Sequence, residues 1–319
     1  MGVSSISPSL RRARRARRFR RHQRGLVSVV GTLLALLLFF ALFGIFLTQY
    51  VPLWMTENEA TYTNQGIESM ADFKSNVDLQ YTLGGPASFA TPFTLSSQGI
   101  PLVAQPTVGE LQFIPSSPNV FADVASLVGP GGGGPFTQNI STGVLVLSMP
   151  NRYYSPATLQ FEDDAILEAQ GGTTNQIVAF PPPLSVARFA SNTTVTMSLV
   201  QLYGNASAAV QQGTQDAFSH LRFSDTEVIS NTPSMWFNVS SIYPCAWLTF
   251  FTQTMAKAGF LYTSATSGGT SGHFHLAPQT LSCPYDTGLP TFVSLELFSV
   301  TYLTLYYAGI QVTVGIGGT

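Results

Sequence analysis

The sequence is poor in charged residues, and the charges it has are segregated along the chain. Only 9% of the 319 residues are Asp, Glu, Lys or Arg, against about 25% in an average soluble domain. No acidic residue precedes Glu57, and only five basic residues follow Arg24. The chain after residue 56 therefore has five cations and sixteen anions, a formal charge of −11. Such a low charge content argues against an enzyme surface and suits packing against neighbours, glycans or ligands.

The familiar catalytic signatures are also missing. The sequence contains no G-x-S-x-G, H-E-x-x-H or C-x-x-C pattern. Gly131 to Gly134 are not followed by the Lys-Ser/Thr pair of a phosphate-binding loop. We therefore predict no enzymatic activity and no cofactor. A membrane-tethered hydrolase with an unrecognised site is the alternative from another functional class.

Metal-binding patterns are weak. His273 and His275 fall on one face of a strand, and His220 is the only other histidine beyond the basic N-terminus. Because no third ligand is recognisable, we expect surface histidines and no metal site. Glu162-Asp163-Asp164 offers oxygen ligands for Ca²⁺, but it lacks EF-hand spacing. A solvated turn is the prediction there.

What the chain does contain is a basic run joined to a long apolar segment. Nine arginines lie between Arg11 and Arg24, and about 22 apolar residues follow from Leu26 to Leu47. A helix of that length crosses the roughly 30 Å hydrocarbon core, and it exceeds the apolar core of a secretory signal. The arginines place the N-terminus in the cytoplasm and residues 56–319 outside. Beside a membrane helix, such a run indicates topology or contact with anionic lipid, so we predict membrane lipid as a partner and no nucleic acid.

An amphipathic helix is predicted to continue this segment. Pro52 removes one backbone hydrogen bond and is expected to kink the helix. From Glu57 the apolar residues follow helical spacing, with the stem of Lys74 among them. The prediction is one long N-terminal helix over 26–80, of which 26–48 is transmembrane or filament core.

Beyond this helix, residues 81–319 are predicted to form an extracytoplasmic β-rich domain. Short runs of β-branched and aromatic residues alternate with turn residues, which is typical of an antiparallel β-sandwich-like domain. The overall class is α+β, predominantly β. A Gly/Pro-rich break at 129–135 leaves open one large domain or two smaller ones. The predicted strands are Glu110–Ile114, Gly143–Met149, Gln176–Phe180, Thr193–Tyr203, Phe292–Ser299 and Tyr302–Val314.

One helix is predicted within this β-rich part. Pro244 to Ala258 has apolar residues at helical spacing and a proline near its start, and Trp247 lies close to the apolar face. A buried strand over Trp247 to Thr254 is the alternative, because that stretch is rich in aromatic and β-branched residues.

The junction Arg24-Gly25-Leu26 resembles the class III signal of archaeal type IV pilin-like surface proteins. Short matches at Leu159–Leu167, Phe180–Leu184 and the Pro244-x-Ala-Trp stretch resemble the outer domains of the same family. The resemblance implies that a prepilin peptidase cuts between Gly25 and Leu26, removing leader 1–25. It also implies homo- or hetero-oligomeric pilin subunits as partners. Val30 departs from the Glu at the fifth mature position of bacterial pilins, which favours the archaeal branch.

The two cysteines and the sequons agree with an exterior location. Cys245 and Cys283 are predicted to form a disulfide, with two separate buried thiols as the alternative. Four N-x-Ser/Thr sequons are candidate glycosylation sites, namely Asn139, Asn192, Asn205 and Asn238.

Taken alone, the sequence predicts an archaeal type IV pilin-like protein of the cell membrane or of a surface filament. Its extracellular β-domain would serve adhesion or assembly. An uncleaved single-pass protein with an outer ligand- or envelope-binding domain is the alternative within the same topology.

Overall fold

The computed structural model describes residues 29–85, 87–115, 123–128, 136–171, 175–189, 192–210, 212–263, 272–277 and 291–315. A long N-terminal helix precedes a mostly β domain with two sheets in which antiparallel pairing predominates, which confirms the predicted fold class. The chain divides into two compact units between Trp54 and Met55.

Helix α1 runs from Val29 to Leu83. Its most apolar 18-residue window has a mean hydropathy of 2.7, so the helix is long and apolar enough to cross a membrane. Phe46–Tyr50 forms a π-helical turn in which the N–H of Val51 donates to the carbonyl of Phe46. Pro52, which has no N–H to donate, follows this turn, and the helix continues through it to Leu83.

The first unit contains the apolar part of α1. Its large apolar side chains are exposed on all sides, with Leu33 and Leu37 exposed by 60% and 67%. Aromatic side chains form a row along it: the ring centroids of Phe39 and Phe43 lie 5.9 Å apart, and those of Phe46 and Trp54 lie 5.6 Å apart. An all-round apolar helix surface of this kind is typical of a segment that lies in lipid or packs against other helices.

The second unit is built on two sheets. In the described residues the smaller sheet has six strands and the larger has nine. The smaller sheet consists of β2 (Glu110–Ile114), β5 (Val144–Met149), β6 (Ala157–Glu162), β7 (Ala165–Gln170), β8 (Asn175–Phe180) and β11 (Ser207–Val210). Its strand order is β11-β2-β5-β6-β7-β8. The larger consists of β1 (Ser88–Thr94), β3 (Asp123–Val128), β4 (Phe136–Ile140), β9 (Ser185–Phe189), β10 (Asn192–Tyr203), β12 (Thr214–Ser241), β13 (Leu261–Tyr262), β14 (His273–Ala277) and β15 (Thr291–Val314). The long pair β12 and β15 lies at its centre.

Two hydrophobic cores lie on opposite faces of the larger sheet. Along β10 and residues 303–314 of β15, odd-numbered residues such as Val195 and Leu305 enter one core, whereas even-numbered residues such as Val200 and Ile310 enter the other. Side chains alternate between the two faces of a strand, so each half of the sheet is covered on a different face. Strand β7 contributes to both cores, whereas β6 contributes only to the one that contains Val200 and Ile310; both strands are buried almost throughout.

Each core contains one helix. The second half of α1 places Tyr62, Met70, Phe73 and Val77 in the core that it shares with the smaller sheet. Its backbone approaches β5 closely at Gly66, where an added Cβ would lie 2.7 Å from the sulfur of Met149.

Helix α2 (Pro244–Lys257) enters the other core through Trp247, Phe251 and Met255, which are fully buried. Pro244 lies at the start of this helix. The prediction of a helix here is confirmed, and the alternative of a buried strand is wrong. Helical apolar spacing over the 14 residues of this helix outweighs the β propensity of the stretch.

The strand predictions are largely confirmed, with two differences. Strand β10 pairs antiparallel with β9 but parallel with β15, although its alternation of buried and exposed residues suggested an antiparallel setting only. The two predicted strands Phe292–Ser299 and Tyr302–Val314 are one strand, β15. Ser299 within it has a left-handed φ of 58°, a local backbone irregularity at the predicted break.

Candidate functional site

An acidic hairpin turn lies buried inside the second unit. Asp163 and Asp164 connect β6 to β7 with φ angles of 45° and 60°, the left-handed pair that a two-residue type I′ turn requires. Both residues are fully buried, and Glu162 before them is 2% exposed. The prediction of a solvated turn is therefore wrong. Hydrogen-bond donors from other elements reach the carboxyl groups of Glu162 and Asp164, which makes the burial of these two groups possible.

Asp164 lies against α1 through a buried ion pair. The Nζ of Lys74 is 3.0 Å from Oδ1 of Asp164 and 3.1 Å from both carboxylate oxygens of Asp78. The hydroxyl of Ser198 donates to Oδ2 of Asp164 over 2.8 Å. Burial raises the pKa of Asp164; the positive charge of Lys74 opposes this shift, and the negative charge of Asp78 adds to it. One lysine thus pairs with two carboxyl groups and joins α1 to the hairpin.

The burial of Lys74 gives a direct chemical test, because the chain has only two lysines. Lys74 is 9% exposed, whereas Lys257 is exposed at the end of α2. We expect an amine-acylating reagent to modify Lys257 and to leave Lys74 unmodified in the folded protein. Peptide mapping by mass spectrometry measures both sites at once. Equal modification of the two lysines before unfolding would contradict the buried ion pair.

Glu162, on the other side of the hairpin, contacts α2. The indole N–H of Trp247 donates to Oε1 of Glu162 over 2.6 Å, and the side-chain amide of Gln160 donates to Oε2 over 2.5 Å. Burial raises the pKa of Glu162 to about 7, although hydrogen bonds from Ser241, Trp247 and Gln160 lower it. Its contribution to stability is therefore present below its ordinary pKa and is lost as the pH rises through about 7.

Glu59 holds a loop of the β-domain to α1. Its carboxylate accepts hydrogen bonds from the backbone N–H groups of Arg152, Tyr153 and Tyr154 over 2.6–3.1 Å. The hydroxyl of Thr107 donates to the same carboxylate over 2.5 Å. Burial alone raises the pKa of Glu59, but these hydrogen bonds outweigh it and hold the pKa below its ordinary value.

These buried acids hold elements together and are not exposed to solvent. Glu59, Glu162 and Asp164 are each exposed by 2% or less. A general acid or base must come within hydrogen-bond reach of its substrate, and none of these three carboxyl groups is accessible enough to do so. Their arrangement fixes both helices against the sheets.

An open cleft lies above the Lys74–Asp164 ion pair. It has a volume of about 660 Å³ and is lined by the end of α1, by β10, by residues 224–226 of β12 and by β15. Tyr81 and Ser198 line the cleft and also belong to the network beneath it. The hydroxyl of Tyr81 lies 3.3 Å from carboxylate oxygens of both Asp78 and Asp164. The floor of the cleft is thus held in place by the buried ion pair.

Strand register explains the chemistry of the cleft wall. Ser198, Tyr306 and Thr226 are direct neighbours across β10, β15 and β12. Such neighbours place their side chains on the same face of a sheet. This face is the one that enters the core farther along, at Val200 and Ile310, so the cleft forms where the sheet leaves the cover of α1.

The predicted processing and disulfide residues are only partly described. Gly25 and Leu26 lie outside the described residues, as do Gly131 to Gly134. Cys245 is buried in the first turn of α2 and takes part in a disulfide bond. Cys283 lies outside the described residues, so its pairing with Cys245 stays a prediction.

The four sequons differ in their surroundings. Asn192 and Asn205 are exposed, the first at the start of β10 and the second in the loop after it. Asn238 is half-buried in β12, between β3 and β15. Asn139 lies in β4, and its side chain is outside the described part. Asn192 and Asn205 are therefore the better placed candidates.

The two histidines of β14 are more buried than the predicted surface histidines. His275 in β14 is 6% exposed, and its Nδ1 lies 3.9 Å from Oε2 of Glu296 in β15. His273 is half-buried in the same strand. Among the described residues, no three metal-binding side chains come together.

The role of Glu59 and the burial of the charged end of Lys74 were not predicted from the sequence. Both are charged residues within the helical apolar pattern of α1, and that placement is the signal that could have found them. No local sequence pattern indicates the cleft, because its wall combines strands that are about 100 residues apart in the sequence.

No family model, curated protein or solved structure matches the chain.

Proposed function

We propose that the chain is an archaeal type IV pilin-like surface protein. A prepilin peptidase cuts it between Gly25 and Leu26, and the first half of α1 then holds it in the membrane or in a filament of like subunits. The β-domain lies outside the cell and serves adhesion or assembly. The protein acts by association and catalyses no reaction.

The observation that carries this proposal is the division of α1 into two chemically different halves. The first half exposes apolar side chains on all sides, and the second half is an integral part of a β-domain core. In a bilayer the backbone hydrogen bonds of such a helix are internal and its side chains contact lipid. In a filament the same surface packs against copies of itself, and Gly31 and Gly44 allow close approach of a neighbouring helix.

An uncleaved single-pass protein shares this helix and this topology. The two hypotheses differ only in the fate of residues 1–25, which carry all nine N-terminal arginines. The alternative keeps these arginines as a permanent cytoplasmic, lipid-contacting segment.

The N-terminal peptide of the mature protein is the decisive measurement. We expect mass spectrometry of protein from membranes and from sheared surface material to find a chain that starts at Leu26. Replacing Gly25 by Val is expected to block cleavage, because the side chain enlarges the residue at the scissile bond. Gly31→Val is the matched control: an added Cβ there meets nothing within 4 Å, so processing is expected to stay normal. Recovery of a wild-type chain with Arg11 to Arg24 retained would refute the proposal.

A further inference from the structure

We propose that the cleft between the end of α1 and the β10-β15-β12 face is a binding site for a neutral carbohydrate chain. This inference specifies the adhesive part of the proposed function and rests on it only for its biological purpose.

The lining is rich in hydroxyl groups and nearly free of charge. Tyrosine, serine and threonine supply eight of the ten described lining residues, and Asp225 is the single charged residue among them. A phosphate, sulfate or carboxylate ligand would require cations or free backbone N–H groups, and no lysine, arginine or histidine is among the described lining residues. A polyhydroxylated neutral ligand matches such a wall, since each hydroxyl group both donates and accepts hydrogen bonds.

Tyrosine rings give the cleft an apolar component as well. Tyr306 is 41% exposed although it stands in the middle strand of three. Tyr81 supplies a second ring, which is held because its hydroxyl lies 3.3 Å from carboxylate oxygens of Asp78 and Asp164. Sugar rings combine apolar C–H faces with hydroxyl edges, so a fixed aromatic ring beside hydroxyl groups suits them.

The polar floor of the cleft is fixed before any ligand arrives. Ser198 donates a hydrogen bond to Asp164, and its hydroxyl also interacts with that of Tyr81. Tyr81 is held by Asp78 and Asp164. Because the buried ion pair orients both residues, binding requires little ordering of the site.

The site continues as an open sheet face, which indicates a chain and not a single sugar. On the same face as Tyr306, the next residues of β15 are Thr304 and Tyr302, and Tyr302 is 52% exposed. Thr194 and Thr196 accompany them on β10 as direct neighbours. An oligosaccharide of several residues would contact the cleft with one end and this face with the rest.

The test uses the full-length protein in a zwitterionic detergent that has no sugar headgroup. The probes are neutral hexose oligomers, namely maltohexaose, cellohexaose and mannohexaose, with oligogalacturonate and spermine as charged comparators. We expect saturation-transfer NMR to detect binding of at least one neutral oligomer, and titration calorimetry to give an affinity that is unchanged between low and high salt, since no ion pair forms.

Variants locate the binding in the cleft. Tyr306→Ala is expected to weaken the affinity about tenfold or more, and Thr226→Val, which keeps the shape but removes a hydroxyl group, is expected to weaken it severalfold. Tyr153→Ala is the matched control, because Tyr153 is 43% exposed and lies outside the cleft. Thr226→Val keeps the test valid if Tyr306→Ala does not fold.

Three results would overturn the inference. These are the absence of binding to every neutral oligomer, binding that both cleft variants leave unchanged, and binding of the charged comparators alone. The outcome is separable from that for the proposed function. Cleavage at Gly25 without sugar binding refutes only the cleft, whereas sugar binding by an uncleaved chain refutes only the pilin-type processing.

Discussion

Replacing Lys74 by Met is expected to destabilise the β-rich unit by about 3–5 kcal/mol, the usual cost of removing one partner from a buried ion pair. Methionine keeps the length of the lysine stem and hence most of its packing. It leaves Asp164, which is fully buried, with no positive charge within hydrogen-bond distance among its described partners. For a unit of this size, the corresponding fall in Tm is roughly 10 °C. Thermal unfolding in detergent, followed by circular dichroism, measures it.

Lys257→Met is the matched control, because it makes the same substitution at the only other lysine of the chain. Lys257 is exposed in the last turn of α2, and a surface substitution of this kind changes stability by about 0.5 kcal/mol or less. If the two variants melt at the same temperature, the ion pair does not stabilise the fold.

The pH dependence of the Lys74→Met variant provides a second readout. Without the lysine, burial and Asp78 both raise the pKa of Asp164, and nothing of opposite charge opposes them. A carboxyl group with a raised pKa contributes stability below its ordinary pKa and loses it as the pH rises. The pKa of Asp164 is already about 7 in the wild type, so the deficit of the variant should grow as the pH rises above about 7 and should shrink as the pH falls below it.

Local periodicity was enough to predict the helices and most strands. In α1, Met70, Phe73 and Val77 recur at helical spacing and all are fully buried. In β10, Thr193 and Val195 alternate with exposed neighbours as predicted. Such patterns are properties of one segment, and the burial of one face imposes them directly.

What the sequence did not reveal depends on contacts between distant segments. Strand β10 finds a parallel partner in β15, about 108 residues later, and no local pattern encodes that choice. The turn at Asp163 and Asp164 has the composition of a surface hairpin, yet Lys74, about 90 residues earlier, and Ser198 make its burial possible. Polar residues can be buried when their partners are supplied by other elements, and a sequence alone does not show the partners.

The same limit applies to the candidate site. Lys74 was expected to place only its stem among the apolar residues of α1, whereas its charged end is buried as well. The cleft combines α1 with three strands, and its lining residues are unremarkable in their local contexts. Its hydroxyl groups lie together because the parallel register of β10 and β15 places Ser198 beside Tyr306.

Glu59→Gln is expected to lower the free energy of unfolding by about 3 kcal/mol at neutral pH, although the substitution hardly changes the shape of the side chain. The carboxylate of Glu59 accepts hydrogen bonds from three consecutive backbone N–H groups and from Thr107. The amide group of glutamine would turn a donor toward these donors and leave buried N–H groups unsatisfied. Glu57→Gln is the matched control, since Glu57 is exposed two residues earlier in the same helix. Urea unfolding of wild type and both variants in detergent gives the comparison.

The pH dependence separates the charge of Glu59 from its shape. Its pKa is held below the ordinary value of 4.5, so its contribution to stability is present above that value and is lost as the pH falls through the lower pKa of the folded protein. Wild type should therefore lose its advantage over Glu59→Gln in acid, and the two stability curves should converge below about pH 4. Glu57→Gln should follow wild type throughout. Curves for wild type and Glu59→Gln that stay parallel from neutral to acid pH would show that the ionised carboxylate does not fasten the loop at 152–154 to α1.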